Sequence, residues 1–188
     1  MNYLLLVRHS LPETRLEVPA SQWELSQVGW QRCERLAEHL KVYAPAVIIT
    51  SNEPKAVQTG AIVAQTLGIP MSGSEGLHEH ERDKPFDRNR DDFETSLKNF
   101  FAEPSKLVFG CETAGQVLQR FSAAITGVLE HRSSENVVVV AHGTVITLWA
   151  TSLNGGDPFT FWKRLGMPSI VVFSRPDLKI VELIENVE

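Results

Sequence analysis

The sequence lacks most of the features that mark secreted, membrane-bound or nucleic-acid-binding proteins. Its 188 residues include only two cysteines, Cys33 and Cys111, in no zinc-like spacing, so we expect no disulfide framework. No apolar run approaches about 20 residues, and no basic leader precedes the first apolar run. The formal net charge of -5 leaves no basic excess for a nucleic-acid backbone. These absences predict a cytoplasmic protein that binds neither membranes nor nucleic acids.

The composition that remains is that of an ordinary globular domain. Hydrophobic residues make up 43% of the chain and charged residues 22%, which excludes a disordered protein. The length fits one domain with a core on both faces of a sheet, and no repeat or linker interrupts it. We therefore predict a single domain over residues 1–188.

Predicted strands and helices alternate along the chain. Continuous apolar runs indicate buried strands at residues 3–8, 46–50 and 137–141. Apolar residues at helical spacing indicate helices after Ser26, over 53–67 and over 112–131. Two further runs, 169–174 and 179–184, predict a closing hairpin. This order is typical of a three-layer α/β/α sandwich with a mostly parallel central sheet.

The segment from 71 to 109 is less regular than the rest. Glycines and prolines break it, and charged residues are concentrated between 79 and 92. We predict a short, loop-rich cap inserted around 78–111, with one helix at about 91–102.

Two of the predicted strands run directly into a histidine. His9 follows Arg8 at the end of the first strand, and His142 precedes Gly143 at the end of the strand 137–141. Parallel strands bind ligands at their carboxyl ends, so both imidazoles are expected at one edge of the sheet. One such histidine could simply cap its strand, but two histidines beside an arginine favour a site. A neutral imidazole attacks phosphorus well, and a guanidinium holds two phosphoryl oxygens, which predicts phosphate chemistry.

Six segments in series resemble motifs of the histidine phosphatase superfamily, which has the phosphoglycerate-mutase-like fold. The segments are Leu6-Val7-Arg8-His9-Ser10, Leu25-Ser26-Gln27-Val28-Gly29-Trp30-Gln31, Ser51-Asn52-Glu53-Pro54-Lys55-Ala56-Val57-Gln58-Thr59-Gly60, Leu77-His78-Glu79, Gly110-Cys111-Glu112-Thr113 and Val140-Ala141-His142-Gly143. They keep the family's order and cover residues 4–145. Two positions depart from the family pattern: Ser10 stands where glycine is usual, and Lys55 stands where the second phosphate-binding arginine is usual.

The resemblance implies a role for each matched residue. His9 is the expected nucleophile, Glu79 the general acid and base, and His142 the second catalytic histidine. Arg8, Lys55 and His142 are the expected phosphate ligands. Possible substrate contacts are Ser10, Gly143, Thr144, Arg82 and Arg88. To act as an acid at neutral pH, Glu79 needs a pKa raised by burial or by a nearby phosphate. The expected partner is a small phosphorylated substrate, with no cofactor.

The run His78-Glu79-His80-Glu81 also suggests a metal site, because alternate residues of an extended segment share a side. Two ligands on one side do not complete a site, however, and the HExxH helix pattern is absent. We therefore predict that no metal is bound.

Together these observations predict a phosphatase that hydrolyses a phosphomonoester, or a phosphoprotein, through a phosphohistidine intermediate. The short cap favours hydrolysis over mutase-type phosphotransfer, because a mutase must shield its phosphohistidine from water. Ser10 is expected to narrow the pocket, and Lys55 to bind phosphate less firmly than arginine would. These two residues leave an alternative of another class: a catalytically weak regulatory protein that binds a phosphate ligand.

Overall fold

The computed structural model of the chain describes residues 2–82 and 89–188. Strands and helices alternate through most of its length. In chain order the elements are β1 (Asn2–Arg8), a 3₁₀ turn (Ala20–Gln22), α1 (Gln27–Lys41), β2 (Val47–Thr50), α2 (Pro54–Leu67), β3 (Met71–Gly73), α3 (Arg90–Ala102), α4 (Ala114–Glu130), β4 (Val137–Ala141), α5 (Gly143–Asn154), α6 (Pro158–Arg164), β5 (Ser169–Arg175) and β6 (Ile180–Ile184).

The six strands form one sheet in the order β3-β2-β4-β1-β5-β6. Strands β3, β2, β4 and β1 pair in parallel, while β5 runs antiparallel to both β1 and β6. The predicted hairpin therefore closes an otherwise parallel sheet at one edge. The prediction of a mostly parallel sheet is confirmed.

Helices cover both faces of the sheet. Leu4 and Leu6 of β1 belong to an apolar cluster that contains residues of α3, α4 and α5. Leu5 and Val7 belong to a second cluster, with residues of α1 and α2. Successive strand residues point to opposite faces, so an unbroken apolar strand supplies both clusters. The predicted three-layer α/β/α sandwich is confirmed.

No helix in the described part of the chain is long and apolar enough to cross a membrane.

Two helices begin slightly later than their apolar patterns predict. Helix α2 begins at Pro54 rather than Glu53, as expected for a proline in the first turn, where no amide hydrogen is needed. Helix α4 begins at Ala114 because Thr113 caps it in a reciprocal capping box with Gln116.

The irregular segment from 71 to 109 contains one element that its sequence does not predict. Strand β3 is three residues long and lies at the edge of the sheet, paired with β2. The expected helix is present as α3, and its Leu97 and Phe100 are fully buried in the same cluster as α4 and α5. Arg88, a possible substrate contact, lies outside the described residues.

Candidate active site

The two predicted catalytic histidines lie side by side at the carboxyl ends of neighbouring strands. Strands β1 and β4 pair so that Arg8 lies opposite Ala141, and the amide of His9 donates to the carbonyl of Ala141 at 3.0 Å. The rings of His9 and His142 are 5.1 Å apart between centroids, at an interplanar angle of 61°. The register of one pair of strands therefore brings together two residues that are distant in the sequence.

His9 is held in one tautomer. Its Nδ1 lies 2.7 Å from the carbonyl oxygen of Ser10, and because a carbonyl can only accept, Nδ1 must carry the proton. The lone pair is thereby placed on Nε2. Burial is the largest cause that lowers the pKa of His9 well below its usual value, and the cations Lys55 and Arg8 lower it further. His9 is therefore neutral at neutral pH, the form that a nucleophile requires.

Ser10 is directed into the fold. It is fully buried, its hydroxyl donates to the carbonyl of Gly29 at 2.7 Å, and its amide donates to Oγ1 of Thr59 at 3.0 Å. Gly29 cannot carry a side chain, since a Cβ there would lie 2.1 Å from the carbonyl oxygen of Leu11. The expected narrowing of the pocket by Ser10 is thus not observed. The hydroxyl of Ser10 therefore links the loop after β1 to α1. Because its hydroxyl and its amide are both bonded within the fold, Ser10 is not a contact for substrate.

The guanidinium of Arg8 lies against the amino end of α5. Its Nη1 donates to the carbonyl of Leu165, whereas its buried Nε has no partner among the described residues. The ring centroid of Trp162 lies 5.8 Å from its Cζ. A Cβ at Gly143 would lie 3.1 Å from Cζ and Nε of Arg8, so glycine permits this close approach. Burial lowers the pKa of Arg8 to about 10, and the group stays cationic at neutral pH.

Lys55 is buried in the first turn of α2, 5% exposed. Its charge lowers the pKa of both His9 and His142, and its Nζ and Nε2 of His142 contact the same carboxylate, that of Glu53. Nζ donates to the carbonyl of Ala20 at 2.6 Å and to Oε2 of Glu53. The structure thus brings Lys55 to the predicted place, but already paired with a carboxylate that the sequence pattern does not indicate.

His142 is fully buried at the N-cap position of α5. Its Nε2 lies 2.8 Å from Oγ of Ser51 and 3.5 Å from Oε1 of Glu53. Its buried Nδ1 has no partner in the described part of the chain. Burial first, and the charge of Lys55 second, lower its pKa well below the usual value, so the ring is neutral in this state.

Glu79 is ionised, contrary to the expectation of a raised pKa. Burial raises its pKa, but the charge of Arg82 and hydrogen bonds from two backbone amides lower it, and the net shift is downward. The amide of His80 donates to Oε1 at 2.9 Å, and the amide of Thr144 donates to Oε2 at 3.1 Å. Thr144 thus contacts Glu79 through its amide, whereas its buried Oγ1 has no partner among the described residues, and its contact with substrate stays a prediction. Only a neighbouring anion such as phosphate remains to raise the pKa of this carboxyl.

Arg120 and Glu112 hold the loop that carries Glu79. The guanidinium of Arg120 contacts both carboxylate oxygens of Glu112, at 2.9 and 2.8 Å. It also donates to the carbonyls of Gly76 and His78, both at 2.9 Å, and to that of Glu79 at 3.4 Å. Sequence analysis missed Arg120, which reads there as one polar residue of an amphipathic helix. We infer that it is a positioning residue for Glu79.

Arg82 follows Glu79 in the cap, above a group of aromatic rings. Its Cζ lies 4.8 Å from the ring centroid of Phe93 and 5.7 Å from that of Phe109, typical of cation–π contacts. Its buried Nε has no partner among the described residues. Burial lowers the pKa of Arg82, and the charge of Glu79 opposes that shift. Arg82 stays a candidate contact for substrate.

The side chains of the His-Glu-His-Glu run diverge. His78 pairs with Glu81 at 3.3 Å, whereas the ring of His80 packs against Phe100, with centroids 4.4 Å apart. Across residues 2–82 and 89–188, no group of three or more His, Cys, Asp and Glu side chains could hold a metal ion. The two histidines are therefore not a common pair of ligands in this structure.

Comparison with known proteins supports the same family as the motifs. The family model described as the histidine phosphatase superfamily (branch 1) matches residues 4–179. A Bacillus subtilis protein named uncharacterized phosphatase PhoE is 24% identical over 161 residues, which are 84% of this chain and 80% of that protein.

Solved structures agree in fold. Bacillus stearothermophilus YhfR superposes with a TM-score of 0.77 at 20% identity, over 98% of this chain and 96% of that one. A mycobacterial glucosyl-3-phosphoglycerate phosphatase gives 0.74 at 18% identity, over 100% and 99%. An Entamoeba histolytica phosphoserine phosphatase mutant in complex with phosphoserine gives 0.75 at 19%, over 98% and 97%. With a family match that spans almost its whole length, the chain belongs to branch 1 of the histidine phosphatase superfamily.

Proposed function

We propose that the protein hydrolyses a small phosphomonoester in two steps through a phosphohistidine on His9. The observation that carries this proposal is the hydrogen bond from Nδ1 of His9 to the carbonyl of Ser10, which leaves the lone pair on Nε2 of a neutral ring. This is the form of imidazole that can attack phosphorus. The membership of the chain in the histidine phosphatase superfamily supports the same chemistry.

In the first step Nε2 of His9 forms a bond to phosphorus as the bond to the leaving oxygen breaks. Arg8 and Lys55 are the cations that hold the phosphoryl oxygens. His142 provides a third contact through Nδ1 when that nitrogen carries a proton. Glu79 gives its proton to the leaving oxygen, after the bound phosphate has raised its pKa.

In the second step water attacks phosphorus and the bond to Nε2 breaks. Glu79, now a carboxylate, takes a proton from the water, and inorganic phosphate is released with His9 restored. The protein then needs no cofactor, because its own side chains supply the nucleophile, the acid and the cations. We infer hydrolysis rather than mutase chemistry from the short cap, and a cytoplasmic location stays a prediction of the sequence.

Trapping the intermediate tests the mechanism. The enzyme is mixed with a phosphomonoester that carries labelled phosphate and is quenched in alkali, where phosphohistidine survives. We expect label on the wild-type protein and none on His9→Ala, which should also release no phosphate. Label that persists on a folded His9→Ala variant would exclude this residue as the nucleophile.

One observation favours a second candidate, a protein that binds a phosphate ligand but turns it over slowly or not at all. Lys55 is already engaged by Glu53, which weakens the attraction of the pocket for phosphate. A generic aryl phosphate, followed by release of the coloured phenol, distinguishes the two functions. Turnover that depends on His9 supports the phosphatase, whereas phosphate binding without turnover supports the second candidate.

A further inference from the structure

The carboxylate of Glu53 lies among the groups proposed to bind phosphate. Glu53 directly precedes α2, and its side chain is 9% exposed. Oε2 accepts from Nζ of Lys55, and Oε1 accepts from the amide of Glu79 at 2.8 Å. Oε1 is also 3.5 Å from Nε2 of His142. One buried carboxylate thus contacts three residues of the site.

This arrangement places a negative charge where an anion is expected to bind. A phosphoryl group held by Lys55 and His142 would lie near Glu53, because the carboxylate contacts both residues. Like charges a few ångströms apart repel even at an effective dielectric constant of about 20, which is enough to change an affinity by about tenfold or more. The carboxylate and the phosphoryl group therefore compete for the same ammonium.

We propose that Glu53 sets the affinity of the pocket for phosphate through its negative charge, which repels the phosphoryl group and also offsets the charge of Lys55, so that inorganic phosphate leaves the pocket readily. This inference rests on the proposed phosphate site. It makes Glu53 a determinant of affinity rather than a catalytic residue. If Glu53 served only to accept the hydrogen bond from the amide of Glu79, its negative charge would not affect the binding of phosphate.

The variant Glu53→Gln separates the two roles, because the amide oxygen of glutamine can still accept from the amide of Glu79. Glu75→Gln is the matched control: Glu75 is exposed, and its carboxylate accepts from Nδ2 of Asn52 at 2.9 Å. The dissociation constant of inorganic phosphate is measured by calorimetry near pH 7. We expect Glu53→Gln to bind phosphate about tenfold more tightly or better, and Glu75→Gln to match the wild type within about twofold. Equal or weaker binding by folded Glu53→Gln would overturn the inference.

Glu53→Gln leaves Lys55 buried without its carboxylate and can lose stability for that reason. A second comparison avoids the unpaired lysine. In the Lys55→Gln background, adding Glu53→Gln removes the repulsion with no buried lysine left behind. The double variant is expected to bind phosphate about tenfold more tightly than Lys55→Gln alone, and no difference between them would refute the proposal.

These measurements do not require turnover. If the predicted order of affinities holds while the wild type hydrolyses no phosphomonoester, the proposed function fails and the inference about Glu53 stands. If the wild type hydrolyses substrate through His9 while Glu53→Gln binds phosphate no better, the inference fails and the proposed function stands.

Discussion

Replacing Arg120 by methionine should impair catalysis from outside the pocket. The guanidinium joins Glu112 to the carbonyls of Gly76, His78 and Glu79, and its side chain is 18% exposed. Removing one partner of a fully buried ion pair lowers the free energy of unfolding by about 3 to 5 kcal/mol. Because this pair is partly exposed, we expect a loss of about 2 to 4 kcal/mol. A shift of Glu79 by about 1 Å lowers kcat by roughly a hundredfold when proton donation limits the rate.

The leaving group distinguishes positioning of the acid from a general loss of stability. A poor leaving group such as an alkoxide needs the proton from Glu79, whereas 4-nitrophenolate needs it much less. We therefore expect Arg120→Met to lower kcat/KM by about ten- to a hundredfold on an alkyl phosphate and by clearly less on 4-nitrophenyl phosphate, because kcat/KM reports only the steps up to loss of the leaving group.

Arg175→Met is the matched control for this substitution. Arg175 also donates to three carbonyls, those of Leu129, Arg132 and Glu135, but it pairs with Asn2 at the opposite end of β1 from Arg8. It should lose stability in a urea titration and keep kcat. If Arg120→Met lowers kcat/KM equally on both substrates, or not at all, Arg120 does not position Glu79 for proton donation.

Three further predictions concern charge. Lys55→Ala should lower kcat/KM by roughly ten- to a hundredfold, because a charged hydrogen bond contributes about 1.5 to 3 kcal/mol; unchanged kinetics in the folded variant would remove Lys55 from the site. EDTA should leave activity unchanged, because side chains supply the cations; activity lost with EDTA and restored by one divalent metal would contradict this. Burial lowers the pKa of His80 to about 4 in the folded protein, whereas the usual value of about 6.5 applies in the unfolded chain. Between about pH 6.5 and pH 4, His80 is therefore protonated only when the chain is unfolded. The free energy of unfolding should decrease as the pH falls through this interval. The free energy of unfolding is measured by chemical unfolding of the wild type and of His80→Phe at several pH values. We expect it to decrease less steeply in the variant, by up to about 1.4 kcal/mol per pH unit, and equal slopes in the two proteins would count against this account.

The parts of the fold that sequence predicted well are those where one local pattern suffices. Strand β4 has the predicted bounds, Val137–Ala141, since a strand buried on both faces is apolar at every position. Strand β3 was missed because three partly exposed residues at a sheet edge show no period. The positions of His9 and His142 at one edge of the sheet could be predicted because each follows a buried strand. Lys55 and Glu79 were predicted from the family motifs.

What could not be predicted depends on contacts between distant segments. The direction of the pKa shift of Glu79 is the balance between burial and several opposing groups, one of which is an amide from Thr144, far along the chain. Glu53, beside a proline at a helix start, resembles an ordinary residue before a first turn. Its proposed effect on phosphate affinity depends on its contacts with Lys55 and His142, and only the folded structure brings these three residues together.

The parallel pairing of β1 with β4 gives the protein a kinetic signature. Tyr3 and Asn136, hydrogen-bonded where these strands begin, are 133 residues apart in the chain. Closing so long a loop is slow, and His9 and His142 meet only once it is closed. Compact intermediates with α1 and α2 already folded would still be inactive. Recovery of phosphatase activity during refolding should therefore report the docking of β4 and lag behind the return of helical circular dichroism.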